Sequence, residues 1–384
     1  MLFRADARMD ELARRKVLPP ELAAMMKTPP APVAGSDEPG NNAGRAAGAA
    51  EAAGSQATVG AVTAQAAPGT VGLTTGVKGA TATGAGGPAA PAPAGATAPV
   101  LGGGTDYFVR NPDPQPGLEP LFVYHRADSR SIRSADRGGR AWIELGAAVN
   151  ATDFFTSKVV RASVPGIERF EHDIASPPIR NRATLAGNIA NASPIADMTA
   201  MLIALGAELD IAALPLSAAT AGARPVAGTA PQAVRSITLE SFFLGYKKID
   251  LGPGEVITGI RFPADWSRFT FEKAAKRDRL DIATVNCAAA VRLDGNGVIA
   301  DARWSAGGVA ATPLRLATVE EAMRGRTPNA ALAREVGRLA AEAGSPMSDV
   351  RGSAAYRKRL LERLAWATFI RLWPELRLEE DLLK

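Results

Sequence analysis

Three stretches of this chain gather residue types that can hold a polar cofactor. The first is Gly102-Gly103-Gly104-Thr105-Asp106, with Leu101 before it and Tyr107 after it. Glycines let a backbone approach a phosphate closely, and consecutive N–H groups form an anion-binding nest. The Thr105 hydroxyl adds a donor. The same string also reads as a tight turn. The second stretch spans 175–197 and is dense in small and hydrogen-bonding residues. Asn188, Asn191 and Ser193 offer donors and acceptors there, and Gly187 permits close approach. Asp197 could accept a ribose hydroxyl, or it could simply cap the helix that follows. The third stretch spans 271–283, where Lys273 or a neighbouring arginine could steady negative charge on a reduced flavin. Read without that role, it is a solvated charged loop.

Other chemistries are poorly supplied. The 384 residues include one cysteine, Cys287, and two histidines, His125 and His172. One thiol cannot make an internal disulfide, and an iron–sulfur cluster needs about four. A zinc site rich in histidine and cysteine is excluded on the same count. Basic residues number 44 and acidic residues 39, a scattered excess with no block suited to nucleic acid. Neither a signal-peptide core nor an apolar run of about 18 residues occurs, which points to a cytoplasmic protein with no membrane span.

Residues 1–28 carry Met9, Leu12 and Leu18 among charges and predict one short helix. Residues 29–98 are dominated by Ala, Gly, Pro, Thr and Ser, with no aromatic residue. Such a segment buries too little apolar surface to offset chain entropy, and it reads as a disordered linker. Strands are predicted at 122–125 and 141–147, and a helix starting near Asp153. Met198, Met201, Leu202 and Leu205 recur at helical spacing, so 197–205 predicts a buried helix ended by Gly206. A strand at 208–212 leads into a polar insertion at 215–232. The 255–262 strand alternates, placing Val256, Thr258, Ile260 and Phe262 on one face. After a composition break at 263–265 comes a strand at 269–275. A hairpin follows, 287–293 with 298–305, around Asp294-Gly295-Asn296-Gly297. Helices are predicted at 314–323, 329–344 and 354–373.

Several long motifs together resemble one family. Arg180-Asn181-Arg182-Ala183-Thr184-Leu185, Gly187-Asn188-Ile189 and Ala192-Ser193-Pro194-Ile195-Ala196-Asp197 look like the flavin domain of xanthine dehydrogenases. Gly103-Gly104-Thr105-Asp106, Phe242-Phe243-Leu244-Gly245-Tyr246, Asp281-Ile282-Ala283, Gly307-Gly308-Val309-Ala310 and Asp349-Val350-Arg351-Gly352-Ser353-Ala354 continue the likeness in family order across about 100–376.

The resemblance implies an α+β architecture. A two-lobed FAD-binding domain of PCMH type would span 99–263. A small α+β C-terminal domain like that of carbon monoxide dehydrogenase flavoproteins would span 264–376, with a tail at 377–384. It also implies noncovalent FAD. The 101–109 loop, including Leu101, Gly102, Gly103, Gly104, Thr105, Asp106 and Tyr107, would hold the pyrophosphate. Thr184, Gly187, Asn188, Asn191 and Ser193 would line the cleft. Asp197 would bind FAD directly, Ile257 would contact the flavin, and Lys273 would reach it. The 277–283 loop would shape the side facing NAD⁺.

The family places a strand–helix–strand unit where this chain carries the low-complexity segment. Ala186 replaces the first glycine of its Gly-Gly-Asn loop, and Leu280 precedes Asp281 where some relatives carry another acid. The implied function is electron transfer within a molybdenum hydroxylase, from [2Fe–2S] clusters of a partner to FAD and then to NAD⁺. The partners would be a molybdenum-binding large subunit and an iron–sulfur subunit or domain, in a hetero-oligomer. Two alternatives stand beside it: a carbon-monoxide-dehydrogenase-type medium subunit, and a flavin-free assembly subunit. A covalent-flavin oxidase would want a histidine or cysteine in the cofactor loops, and none of the three available lies there.

Overall fold

Alternating apolar residues build the first large sheet. In the strand Arg140–Gly146, Ile143 and Leu145 point into the core while Trp142 and Glu144 stay partly exposed. The computed structural model describes residues 100–112, 120–123, 128–213, 232–277 and 279–382. The expected N-terminal helix and the low-complexity segment lie outside the described residues. So does the expected insertion, apart from Gln232, which opens a strand.

The described chain starts with β1 (Val100–Leu101) and β2 (Leu121–Phe122), a parallel pair with helix α1 (Thr105–Arg110) between them in sequence. Next come β3 (Ile132–Arg137), β4 (Arg140–Gly146), β5 (Glu208–Ala213) and β6 (Gln232–Thr238). The short hairpin β7 (Phe243–Gly245) and β8 (Lys248–Ile249) precedes β9 (Glu255–Pro263). Five of these form an antiparallel sheet in the order β3-β4-β9-β5-β6. Five helices lie between β4 and β5: α2 (Ala151–Thr156), α3 (Lys158–Ser163), α4 (Pro177–Arg180), α5 (Leu185–Ala190) and α6 (Asp197–Ala204). Asn150 and Ser157 cap α2 and α3 through their side chains.

The second sheet is an antiparallel meander: β10 (Arg268–Ala274), β11 (Val285–Leu293), β12 (Ile299–Gly307) and β13 (Leu314–Arg315). Helices α7 (Ala317–Met323), α8 (Ala330–Ala343), α9 (Ala354–Leu372) and α10 (Glu379–Leu382) follow. Both faces of this sheet are buried. Phe269, Phe271, Ala288 and Ala290 join the core of the first sheet. Val285, Cys287, Ala289 and Val291 join a second core under α7, α8 and α9. Helix α6 lies on the first of these faces, where the Ser305 hydroxyl donates to the Ala200 carbonyl at 2.6 Å.

Four local expectations are corrected. The 122–125 strand is reduced to β2, and 124–127 lie outside the described residues. The 314–323 helix begins at Ala317, because Leu314 and Arg315 pair with β12 as an edge strand. The simple alternation of β9 fails, since Ile257, Ile260 and Phe262 are buried while Val256 and Thr258 are partly exposed. A register shift opposite Thr258 explains it: Asp210 pairs with Gly259 but Ile211 with Ile257, so the extra residue reverses the facing. The 377–384 tail is packed as far as it is described, with Leu378 and Leu382 buried in the second core through the turn of α10.

Candidate functional site

The glycine loop is shaped first by its own protein. A Cβ on Gly103 would sit 1.5 Å from the Arg182 carbonyl oxygen, and one on Gly102 would sit 2.1 Å from Thr184 Oγ1. The loop therefore lies flat on the Arg182 and Thr184 segment, and the first two motifs of the sequence form one surface. Gly104 has φ 77 and precedes α1, a turn that needs a residue tolerant of left-handed backbone. Leu101 is buried beneath, Thr105 and Tyr107 are half-buried, and Asp106 is exposed.

Backbone bonds hold the second motif in place. Leu185 donates to Val149 at 2.9 Å and Ala151 to Ala183 at 3.0 Å, sewing the motif to the end of the β4 segment. Thr184 caps α5, accepting from Gly187 N at 3.1 Å. Gly187 is exposed and Asn188 half-buried, with Asn188 Oδ1 accepting from Thr199 at 3.0 Å. Ser193 is half-buried and its carbonyl accepts from Ala196. Ala192 holds φ 49 without being glycine. Below this polar rim α5 turns Leu185 and Ile189 inward, and Ile257 is buried on β9 in the same core.

Asn191 links three segments. Its Oδ1 accepts from Arg110 at 3.0 Å, and its Nδ2 donates to Asp106 at 3.3 Å. Lys247, in the β7–β8 turn, donates to its carbonyl at 2.6 Å and to Oδ1 at 3.2 Å. Arg110 also pairs with Asp106 at 3.0 Å.

Asp197 sits at the base. It is the first helical residue of α6 and Ala196 is the cap, so its carboxylate is not spent on capping. Lys273 donates to Oδ2 at 2.8 Å, and Asn286 donates to Oδ1 at 2.6 Å. Lys273 also reaches the Asp173 carbonyl at 2.9 Å. The Lys273 and Asp197 side chains are only 12% and 14% exposed. Sequence reasoning named both of them but missed Asn286. Its signal was a lone amide heading the apolar strand Cys287-Ala288-Ala289-Ala290. Asn286 is fully buried, and its Oδ1 has no hydrogen-bond partner among the described residues.

The third motif divides. Lys273 joins the base, while the loop after it folds on itself. Burial works against the Asp281 carboxylate, but N–H bonds from Arg277 and Ile282 and the Arg277 guanidinium hold its pKa below the usual range. Lys276 ties the loop to the Val350 carbonyl at 3.4 Å. Cys287 is fully buried, and burial pushes its thiol up to about 12, as suits a small apolar residue.

The arrangement is an open polar rim over an apolar floor, with an ion pair at one end. It can bind and orient a polar cofactor. It offers no nucleophile–base pair, and no cluster of three or more metal-ligating side chains occurs among the described residues.

Residues 92–265 match the family described as the FAD binding domain in molybdopterin dehydrogenase. Residues 270–372 match the CO dehydrogenase flavoprotein C-terminal domain. In both matched domains the chain resembles the xanthine dehydrogenase family of flavoproteins. Within this family, the xanthine dehydrogenase FAD-binding subunit of Escherichia coli O157:H7 is 27% identical over 271 residues, 70% of this chain and 86% of that one. The glyceraldehyde dehydrogenase medium chain of Sulfolobus acidocaldarius is 29% identical over 228 residues, 59% of this chain and 74% of that one. Among solved structures, carbon monoxide dehydrogenase from Hydrogenophaga pseudoflava superposes with a TM-score of 0.61 at 26% identity, covering 73% of this chain and 90% of that chain. The protein thus resembles FAD-binding oxidoreductase subunits of the xanthine and carbon monoxide dehydrogenase kind. Its α+β fold is the one expected from the motifs. No described helix is long and apolar enough to cross a membrane.

Proposed function

We propose that the joined surface of the glycine loop and the 182–197 segment holds FAD noncovalently, and that the subunit passes electrons from a partner's [2Fe–2S] clusters through it to NAD⁺. The observation that carries this reading is the packing of Gly102 and Gly103 on Thr184 and Arg182, which merges two distant motifs into one half-exposed polar rim. The donor set fits a dinucleotide. Leu101, Gly102, Gly103, Gly104, Thr105, Asp106 and Tyr107 serve the pyrophosphate end. Thr184, Gly187, Asn188, Asn191 and Ser193 line the middle. Ile257 would contact the flavin, and Asp197 and Lys273 would hold the cofactor at the base of the site. The buried, partnerless Asn286 Oδ1 beside Asp197 marks polar capacity at that end.

Bound FAD supplies hydride and electron transfer. The residues position it. The Asp197 carboxylate accepts hydrogen bonds, the Lys273 ammonium steadies negative charge beside it, and the apolar floor excludes water. In this reading the cofactor domain spans 99–263, and the α+β unit at 264–376 lends Lys273 and Asn286 to the base of the site. The partners are a molybdenum-binding large subunit and an iron–sulfur subunit or domain, in a cytoplasmic hetero-oligomer. The molybdenum cofactor would sit on the large subunit.

A carbon-monoxide-dehydrogenase-type medium subunit is the second reading. It is favoured by the matched C-terminal family and by a 29% identical carbon monoxide dehydrogenase medium chain from Hydrogenophaga pseudoflava. The first test is the absorption spectrum of the purified chain. Two flavin bands, FAD released on denaturation, and loss of colour in Asp197→Ala are expected. A folded, colourless protein that takes up no FAD would leave only an assembly role. NADH formation by the reconstituted complex separates the NAD⁺ reading from an acceptor of another kind.

A further inference from the structure

Lys247, like Arg110, is a cationic residue of this site that no sequence motif singled out. It sits in the turn between β7 and β8 with φ 57, a left-handed backbone that costs a non-glycine residue energy. Its side chain crosses to the cofactor rim and binds Asn191 at both the carbonyl and Oδ1. Arg110 arrives at the same Asn191 Oδ1 from the end of α1. The nearest anion is Asp106, which already pairs with Arg110 at 3.0 Å. Two cations and one carboxylate therefore meet around one amide, and the cluster carries a net positive charge. Burial, and then repulsion from Arg110, lower the Lys247 pKa, while Asp106 opposes the shift. An ammonium in that position gains from a further anion. Two of its three donors go to Asn191, and the third is not used by any described residue.

Asp106 belongs to the glycine loop, and Asn191 belongs to the cleft-lining segment. The surplus charge thus stands where the two halves of the rim join. We propose that Lys247 is a phosphate-binding residue of the FAD site, donating to the cofactor's pyrophosphate while it latches the β7–β8 hairpin onto Asn191. This rests on the FAD reading above and adds a residue to it. The chemistry required of the ligand is a dianionic diphosphate next to a polar rim. Riboflavin, which lacks phosphate, has nothing to offer Lys247.

The experiment is a fluorescence titration of the full-length apoprotein with FAD and with riboflavin, at low and high salt. Wild type, Lys247→Met and Lys247→Arg are compared, with thermal melting of each apoprotein as a control. Lys247→Met should weaken FAD binding roughly tenfold or more, the loss of one charge-assisted hydrogen bond. Riboflavin binding should fall far less than FAD binding, because only the latch on Asn191 is lost there, and the salt dependence of FAD binding should flatten because a screened charge has been removed. Lys247→Arg should recover most of the affinity. Equal losses for FAD and riboflavin, or a loss insensitive to salt, would reduce Lys247 to a structural latch and overturn the proposal. FAD affinity unchanged in Lys247→Met would overturn it too, while leaving the FAD reading intact. A well-folded wild type that binds neither ligand would remove both readings.

Discussion

Asp197 has a structural role beside the cofactor role proposed for it, and mutation can separate the two. As a structural group it neutralises Lys273, and both side chains are largely buried. Asp197→Ala leaves the ammonium with the Asp173 carbonyl alone, at an expected cost of about 3–5 kcal/mol for breaking a buried pair. Urea denaturation measures that cost. The double variant Asp197→Leu with Lys273→Met removes both charges and should recover most of the lost stability, yet still fail to bind FAD. A double variant that binds FAD as the wild type does would strip both residues of their cofactor role. Gly103 gives a sharper steric test. Gly103→Ala pushes a methyl into the Arg182 carbonyl, so the loop must lift from the 184–197 segment. FAD affinity should collapse in this variant. Gly295→Ala, at a position with open space, should leave it unchanged.

At the scale of elements, β10 serves two layers by alternation. Lys273 points to the cofactor base and Glu272 points to α9, where Arg371 approaches at 3.1 Å. Burial is the main cause that raises the Glu272 pKa from 4.5 to about 7, with Arg371 opposing. The folded state therefore holds this proton more tightly than the unfolded state does. Stability from the protonated form is complete below about pH 4.5 and is lost as pH rises through about 7. Glu272→Gln cannot ionise. Wild type should lose stability relative to this variant between pH 4.5 and 7, with the difference flat above, as read from denaturation midpoints across pH. A pH-independent difference would show that folding does not raise the Glu272 pKa.

At the scale of the whole molecule, one sheet joins two cores. Its β10 and β11 strands supply Phe269, Phe271, Ala288 and Ala290 to one, and Val285, Cys287, Ala289 and Val291 to the other. They also supply Lys273 and Asn286 to the cofactor base. FAD binding should therefore protect the distant α8–α9 layer as well as the cleft. At about 100 times Kd, a ligand adds roughly 2.7 kcal/mol to whatever unfolds with its site. Calorimetry should show a single transition moving upward with FAD, and hydrogen exchange should slow across α9. Two transitions, with only one moving, would mean that the layers unfold separately.

Much of this was legible in the chain. The helical spacing of Met198, Met201, Leu202 and Leu205, the Asp294-Gly295-Asn296-Gly297 turn and the glycine loop are local signals, and local sterics and burial fix such elements. The family motifs pointed to an FAD binding domain, which the family match over 92–265 supports. The bulge at Thr258 was not legible, because an extra residue is defined only against its partner strand. Asn286 and Lys247 were also hidden, since their importance comes from contacts 89 and 56 residues away along the chain. The packed end at Leu378 and Leu382 depends on a core built by other elements. Sequence determined which segments could form elements and which residue types could hold a dinucleotide. Tertiary packing decided which face each strand turned inward and which charges met. Those outcomes are set by the free energy of burying distant residues together, which no local window contains.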